Sequence, residues 1–240
     1  MTLMLNFSMM LNFSMSFFRD MRMNKFQGTI PDRLVNLHQL TYLSLGENEF
    51  IPSPIPAFLS SFTQLRELSL ARSNIVGTIP QWFDILTNLR FLNLQENNIQ
   101  GEVPQEVWNL PELSIVLLSG NNLNGTLPET TANAKNLEIL AVSKTNIGGE
   151  ADTICYTAPS LVAFTFDCAQ VSCTTECCNV CCNPPAGEDT SSCFSKQLMT
   201  GLGREQNEWE FKYQSSGYSF SPNIIFAEDA RAGPRLDNNS

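Results

Sequence analysis

The sequence predicts an α/β repeat solenoid, in which short copies of one motif stack side by side. Three observations support this fold class. The first is a recurrence of leucine every 24 residues, at Leu65, Leu89, Leu113, Leu137 and Leu161. The second is a common pattern of Leu, Asn, Gly and Pro that follows these leucines. The third is that all eight cysteines fall between Cys155 and Cys193, near the C-terminal end of the repeats.

The composition of the 240-residue chain excludes several classes of protein. Charged residues make up 16% and hydrophobic residues 42%, which is too apolar for a disordered chain and too interrupted for a membrane bundle. The 24 Asp and Glu residues exceed the 14 Lys and Arg residues, so the formal net charge is -10 at pH 7. This charge repels polyphosphate backbones, and we expect no nucleic acid partner.

Each well-preserved copy combines a strand pattern with a turn pattern. The copy at 65–80 reads LRELSLARSNIVGTIP, and the copies that start at Leu89 and Leu113 keep its apolar, Asn, Gly and Pro positions. The alternation Leu-x-Leu predicts a short strand whose leucines point into the solenoid, while the residues between them point outward. Stacking then pairs the strands of successive copies into one parallel sheet.

Asparagines are predicted to close the turn after each strand, because a buried amide both donates to and accepts from backbone groups. These asparagines are Asn24, Asn48, Asn97 and Asn121, with Ser73 and Thr145 as weaker substitutes. The segments 81–88 and 105–112 are predicted to return along the other side of the solenoid as short helices or irregular chain.

This pattern resembles the plant-type leucine-rich repeat class, whose consensus LxxLxxLxLxxNxLxGxIPxx the chain matches over about residues 16–175. The resemblance implies a horseshoe with a concave parallel sheet and a second short strand at the GxIP segment. It also implies an extracellular recognition module, such as a receptor ectodomain, a co-receptor or a secreted inhibitor. Such a module binds a peptide, a protein or a wall glycan and takes part in signalling.

These patterns divide the chain into four parts. Residues 1–15 are an uncertain N-terminal segment or degenerate repeat, 16–175 hold about seven copies, 176–193 form a cysteine-rich cap, and 194–240 are an irregular tail. The apolar start has polar interruptions and no basic residue before Arg19. A degenerate repeat, or a chain that begins within a longer protein, is therefore favoured over a targeting segment. No stretch is predicted to span a bilayer, and a membrane anchor would have to lie outside this chain.

The cysteine cluster predicts a disulfide-rich C-terminal cap. The even number of cysteines and the glycosylation acceptor Asn124-Gly125-Thr126 fit an extracellular or cell-surface protein. The single histidine, His38, lies far from the cluster, so only an all-thiolate zinc site competes with disulfides, and disulfides are favoured. The run at 177–184 resembles the paired-cysteine ends of diatom leucine-rich repeat proteins. The predicted disulfide cysteines, whose pairing is undetermined, are Cys155, Cys168, Cys173, Cys177, Cys178, Cys181, Cys182 and Cys193.

No catalytic motif is found in the sequence. Gly201-Leu202-Gly203 lacks the third glycine of a nucleotide-binding loop, and the kinase signatures HRD and DFG are missing. A Ser-His-Asp triad would need His38, which is interpreted as a surface or packing residue in a polar return segment. We therefore expect no enzyme activity, no catalytic residue, no cofactor and no metal site.

The functional prediction concerns the outward columns of the sheet. Aromatic, arginine and amide side chains are typical of protein interfaces. The predicted ligand contacts are Arg22, Tyr42, Glu67, Phe91, Asn93 and Gln95. The alternative interpretation is that the aromatic residues stack along the sheet as a structural ladder.

Two function classes remain open. The first is the non-enzymatic recognition module, and the second is a structural wall or matrix protein or an ice-binding repeat protein. A regular column of Thr or Asn would favour the second class. The outward columns are irregular, so the recognition module is favoured.

Overall fold

The computed structural model describes residues 18–128, 134–161, 163–167, 170–172 and 180–182. Within these ranges the chain alternates between short strands and short helical returns, as the repeat pattern predicts. In chain order the strands are β1 (Phe18–Asp20), β2 (Gln27–Gly28), β3 (Tyr42–Ser44), β4 (Glu49–Phe50), β5 (Glu67–Ser69), β6 (Val76–Gly77), β7 (Phe91–Asn93), β8 (Asn98–Glu102), β9 (Ile115–Leu117), β10 (Asn122–Asn124), β11 (Ile139–Ala141), β12 (Gly149–Glu150), β13 (Ala163–Asp167), β14 (Val171–Ser172) and β15 (Val180–Cys182).

The main sheet takes one strand from each successive copy. In the described part of the chain it contains eight parallel strands in the order β1-β3-β5-β7-β9-β11-β13-β15. Partner residues such as Tyr42 and Glu67, or Glu67 and Phe91, are one repeat apart in the sequence. The predicted register of the repeats is therefore confirmed, including its first copy, because Phe18 in β1 pairs with Tyr42 in β3.

The last strand departs from the repeat spacing. Val180 in β15 pairs with Thr165 in β13, so the chain returns to the sheet after a shorter excursion than in the other copies. The residues of β15 were predicted to belong to the cysteine-rich cap at 176–193. The backbone of this part continues the sheet by one strand, a feature that the cysteine spacing did not predict.

A second set of short strands lies at the GxIP segments. The strands β6, β8 and β10 form a three-stranded sheet, and β2 pairs with β4 as β12 pairs with β14. Gly77 and Gly101 within this set have φ angles of +83° and +81°, in the region that side chains rarely adopt. The expected second strand is confirmed, and its glycines are needed for their backbone conformation.

The returns on the opposite side of the solenoid are short helices. They are the 3-10 helices Asp32–Asn36, Ala57–Ser61, Gln81–Ile85 and Ala134–Asn136, and the α-helices α1 (Gln105–Trp108) and α2 (Asp152–Thr157). Pro31, Pro56, Pro80 and Pro104 each stand directly before one of these helices with φ between -63° and -75°. Proline fixes this angle and lacks the N–H group that a helix start leaves unpaired, which explains where the returns begin.

One continuous apolar core fills the space between the main sheet and the returns. The strand leucines Leu43, Leu68 and Leu92 are 0% exposed, as are Leu59 and Val107 from the returns. Fully burying an aliphatic side chain stabilises a fold by roughly 1.5–3 kcal/mol, and each copy contributes several. The stacked leucines are therefore the main source of stability.

Buried asparagines join successive copies at the turns. The Nδ2 group of Asn97 donates to three backbone carbonyls, and its Oδ1 accepts from two N–H groups of the preceding copy. Asn48 and Asn121 bond the backbone in the same manner. Where the asparagine is replaced, the hydroxyl of Ser73 donates to the carbonyl of Leu45, and that of Thr145 donates to the carbonyl of Val142.

Several predictions concern residues outside the described ranges. These are the segment 1–15, the tail at 194–240, and the predicted disulfide cysteines at 168, 173, 177, 178 and 193. Cys181 and Cys182 are described only through the backbone of β15. In the part of the chain that the structure covers, no helix has the length and hydropathy needed to cross a membrane.

Candidate functional site

The predicted contact residues lie in register on one face of the main sheet. Tyr42, Glu67 and Phe91 are successive partners across β3, β5 and β7. Asn93 ends β7 in the neighbouring column. Gln95 lies two residues later, and its carbonyl accepts the N–H of Arg72 in the preceding copy at 3.0 Å. The sequence therefore placed these side chains correctly relative to one another.

This face of the sheet is buried, which differs from the expectation that its side chains point into solvent. Tyr42 is 1% exposed, Phe91 2% and Gln95 1%, whereas Arg22 is partly exposed. Strand alternation determines which face of the sheet a side chain lies on, but it does not determine whether that face is exposed to solvent. Apart from Arg22, the predicted contacts are thus not an open surface in this chain.

An ion pair lies at the N-terminal end of the face. The Nε and Nη2 groups of Arg22 donate to the two carboxylate oxygens of Asp20 at 3.0 and 2.8 Å. Burial raises the pKa of Asp20, but the hydrogen bonds from Arg22 outweigh that effect and bring the pKa below its ordinary value. Asp20 is therefore charged and Arg22 is held in one orientation.

The phenol of Tyr42 lies beside this pair. Burial raises its pKa most strongly, the carboxylate of Asp20 raises it further, and the guanidinium of Arg22 opposes them. The net pKa lies well above that of a free tyrosine. Tyr42 is therefore neutral over the physiological range of pH and acts as an apolar ring with a polar end.

Two buried acceptors lie on the same face. The Oε1 of Gln95 and the Oγ1 of Thr165 receive no hydrogen bond from any residue that the structure describes. Asn93 differs, because its Oδ1 accepts the N–H of Gln95 at 3.1 Å. A buried acceptor without a partner costs about 1–3 kcal/mol, so these two oxygens mark positions where a bound group with donors gains affinity.

The C-terminal end of the face contains a residue whose role the sequence did not reveal. Asp167 belongs to an outward column, yet its Oδ2 accepts the N–H of Thr145 at 3.3 Å. This is the bond that an asparagine of the next copy would make, and that copy has Ala169 at the asparagine position. The carboxylate of Asp167 therefore replaces the missing turn asparagine.

A regular asparagine column lies on another face, beside the second set of strands. Its members follow the turn position of four successive copies and are exposed: Asn74, Asn98, Asn122 and Asn146. The Nδ2 of Asn146 donates to the Oδ1 of Asn122 at 3.2 Å. The regular spacing of these asparagines is visible in the sequence, but they lie outside the main-sheet columns from which ligand contacts were predicted.

The remaining predicted sites are scattered over the solenoid. Asn124, the glycosylation acceptor, is exposed on β10. Cys155, one of the predicted disulfide cysteines, lies in helix α2. His38 is exposed, and its Nδ1 lies 2.8 Å from the carbonyl of Val35. Among the described side chains, no group of three His, Cys, Asp or Glu is placed to hold a metal ion.

Comparison with known proteins agrees with this architecture. The leucine rich repeat family model matches residues 63–123. The described solenoid is thus similar in fold to leucine-rich repeat proteins. Receptor like protein 26 of Arabidopsis thaliana is 43% identical to this chain over 56 residues.

Solved plant receptors have a similar fold. The TDR receptor is 32% identical with a TM-score of 0.56 and covers 62% of this chain. The ectodomain of the Arabidopsis receptor kinase HAESA, solved in complex with a peptide hormone ligand, is 28% identical with a TM-score of 0.53 and covers 60%. The chain spans 7% of the length of receptor like protein 26 and 25% of each of these two receptors.

Proposed function

We propose that this chain is a non-enzymatic extracellular recognition module that binds a peptide on the outward face of its main sheet. The proposal is supported most directly by the shared register of Tyr42, Glu67 and Phe91 on one sheet face. Arg22 and Gln95 add a cation and amide groups at the sides of this aromatic column. This combination of side chains is typical of protein and peptide interfaces.

The comparisons support the same function class. HAESA was solved with a peptide hormone, and the TDR receptor has a similar fold. An extended peptide suits a row of parallel strands, because its side chains meet successive copies in turn. An extracellular location also fits the even number of clustered cysteines and the exposed acceptor Asn124. The proposal extends to a protein or wall-glycan ligand on the same face. It also extends to a role in signalling, with a membrane anchor outside this chain.

The test is a binding measurement with a peptide taken from the extracellular fraction. The purified chain is incubated with that fraction, bound peptides are identified by mass spectrometry, and a synthetic copy is titrated by calorimetry. Arg22→Ala and Phe91→Ala are expected to weaken binding about 5- to 30-fold, as the loss of roughly 1–2 kcal/mol per contact predicts.

The matched control is Glu106→Ala, in helix α1 on the opposite side of the solenoid. It should leave affinity unchanged. Because Phe91 is buried, its variant is compared at a temperature where the melting curve shows it fully folded. A larger loss with Glu106→Ala than with Arg22→Ala would place the site on the helical side and refute the proposal.

The exposed asparagine column favours a second candidate, a repeat protein that binds a regular polar surface such as ice or an ordered wall polymer. Four amides at one repeat position are presented at the spacing of parallel strands, about 4.8 Å. Inhibition of ice recrystallisation and co-sedimentation with insoluble wall polysaccharide test the two surfaces separately. Activity that falls in Asn98→Ala and Asn122→Ala but not in Phe91→Ala would support this candidate over peptide recognition.

A further inference from the structure

We propose that Asn124 carries an N-linked glycan that closes the asparagine column to ordered surfaces such as ice or a wall polymer. The proposal rests on the extracellular location inferred above, because such glycans are added to chains that enter the secretory pathway. It deepens the proposed function, since a glycan at this position leaves the main sheet unaffected and closes the face that the second candidate function requires.

The fold does not itself require the acceptor motif. Asn124 and Thr126 are exposed, and the corresponding residues of the preceding copy are Gln100 and Glu102. The residue between them, Gly125, is required, because a Cβ there would lie 2.7 Å from the Cγ of Glu102. The motif Asn-Gly-Thr is thus completed by two residues whose side chains the turn does not need.

The amide of Asn124 is available for the linkage. Its side chain makes no hydrogen bond with any residue that the structure describes. The Nδ2 of Asn146, in contrast, donates to Asn122 at 3.2 Å, and that of Asn74 donates to the carbonyl of Phe50 at 2.8 Å. Asn124 can therefore give up one N–H without breaking a hydrogen bond of the described fold.

The linkage forms by transfer from an oligosaccharide carried on a lipid pyrophosphate. A bond forms between the Nδ2 of Asn124 and C1 of the first sugar, and the bond from C1 to the pyrophosphate oxygen breaks. The amide releases one proton, and the lipid pyrophosphate leaves. The side chain of Asn124 then keeps one N–H and its carbonyl oxygen.

The strand register places this linkage inside the asparagine column. Asn124 pairs with Glu102 of β8 on one side. On the other side the N–H of Asn146 donates to the carbonyl of Leu123 at 2.7 Å, so the next copy runs directly beside the acceptor. Asn122 precedes the acceptor by two residues and is exposed on the same face of β10. The glycan therefore begins next to two members of the column.

A glycan at this point keeps a flat surface away from the column. The four amides extend over three strand spacings of about 4.8 Å, or about 14 Å in total, and an ordered surface must approach this whole width to contact all of them. The acceptor lies within that width, and its glycan is bulky. The strand β10 pairs only with β8 in the described second set, whereas Arg22 and Phe91 belong to the main-sheet region, so a peptide there does not meet the glycan.

The first experiment measures whether Asn124 is modified. The full chain is secreted from plant cells with a cleavable leader, and peptide mapping by mass spectrometry gives the occupancy of each acceptor. Thr126→Val removes the hydroxyl that the motif needs and should abolish the glycan at Asn124, whereas the matched control Thr126→Ser should retain it. An unmodified Asn124 in the secreted, unaltered chain would overturn the proposal.

The second experiment measures whether the glycan covers the face, and it needs no ligand. Carbodiimide labelling of carboxylates is compared between the glycosylated chain and Asn124→Gln. The exposed Glu102 and Glu150 should react several-fold more slowly in the glycosylated chain, because the glycan limits access to them. Asp84, exposed on the helical side, should react equally in both. Equal labelling of Glu102 in the two chains would show that the face stays open and would refute the proposal.

Binding assays separate this proposal from the proposed function. If Asn124→Gln inhibits ice recrystallisation or sediments with wall polysaccharide, the glycosylated chain should do so more weakly, and equal activity would contradict closure of the face. If neither form does so, the second candidate function fails, and the labelling of Glu102 still decides the closure. Peptide affinity should be the same in both forms. A peptide that binds neither form would refute peptide recognition alone, whereas weaker binding by the glycosylated form would contradict an unaffected main sheet.

Discussion

The turn asparagine Asn97 provides a stringent test of how the copies are held together. Its Nδ2 donates to the carbonyls of Leu70, Leu94 and Gln95 at 2.8, 3.0 and 3.1 Å. Its Oδ1 accepts the N–H groups of Ser73 and Ile75 at 3.0 and 2.9 Å. Asn97→Ala removes all five bonds at a buried position and leaves backbone groups without these partners.

The expected loss follows from the two N–H groups. Each buried donor left unsatisfied costs about 1–3 kcal/mol, so the pair alone costs about 2–6 kcal/mol. The carbonyls add less, because a carbonyl has a second lone pair that can bond elsewhere. Asn98→Ala is the matched control, since it removes the same amide from the next residue on the exposed face. Its expected effect is within about 0.5 kcal/mol.

Chemical denaturation followed by circular dichroism measures both variants. A lower midpoint with an unchanged slope for Asn97→Ala indicates a loss of stability, whereas a reduced slope indicates that copies on one side of the break unfold separately. If the two variants Asn97→Ala and Asn98→Ala lose unfolding free energy to within about 0.5 kcal/mol of each other, the asparagines do not act as links between copies.

Three further predictions concern other features of the fold. Gly46→Ala should cost about 1–3 kcal/mol in the same denaturation assay, because the added methyl would lie 2.9 Å from the backbone carbonyl of Ala71; an unchanged midpoint would contradict this. The raised pKa of Tyr42 favours its neutral form when folded, so its contribution to stability is complete below the unfolded pKa of about 10 and falls as the pH rises above it. Tyr42→Phe should therefore lose stability less steeply than the unaltered chain above about pH 10, and parallel curves would argue against burial of this phenol. Alkylation without reduction should modify none of the eight cysteines, and a chelator should leave the melting temperature unchanged; several free thiols would contradict the disulfide cap.

The fold was predictable because its information is local and repeated. The 24-residue spacing of Leu65, Leu89 and Leu113 gives strand positions, sheet register and core residues together, and one register error would have moved every leucine out of the core. The shorter return to β15 was not predictable, because residues 168–182 lack the Asn, Gly and Pro signals that define a copy.

The candidate site was only half predictable. Periodicity correctly assigned Tyr42 and Phe91 to one face, but spacing alone does not determine how deeply that face is buried. Asp167 was missed for a related reason. Its carboxylate serves a turn that its own position in the repeat does not specify, so only the three-dimensional contact with Thr145 reveals the substitution.

Burial of the outward face changes how affinity for a peptide must be understood. A ligand that needs the face binds only the fraction of molecules in which that face is open, and the apparent dissociation constant is the intrinsic one divided by that fraction. A face that is open in about one molecule in a hundred therefore weakens binding about 100-fold without altering any contact residue. Arg22 differs from Tyr42 and Phe91, because its side chain is partly exposed. A loss of affinity with Arg22→Ala would therefore reflect recognition by the face rather than its opening.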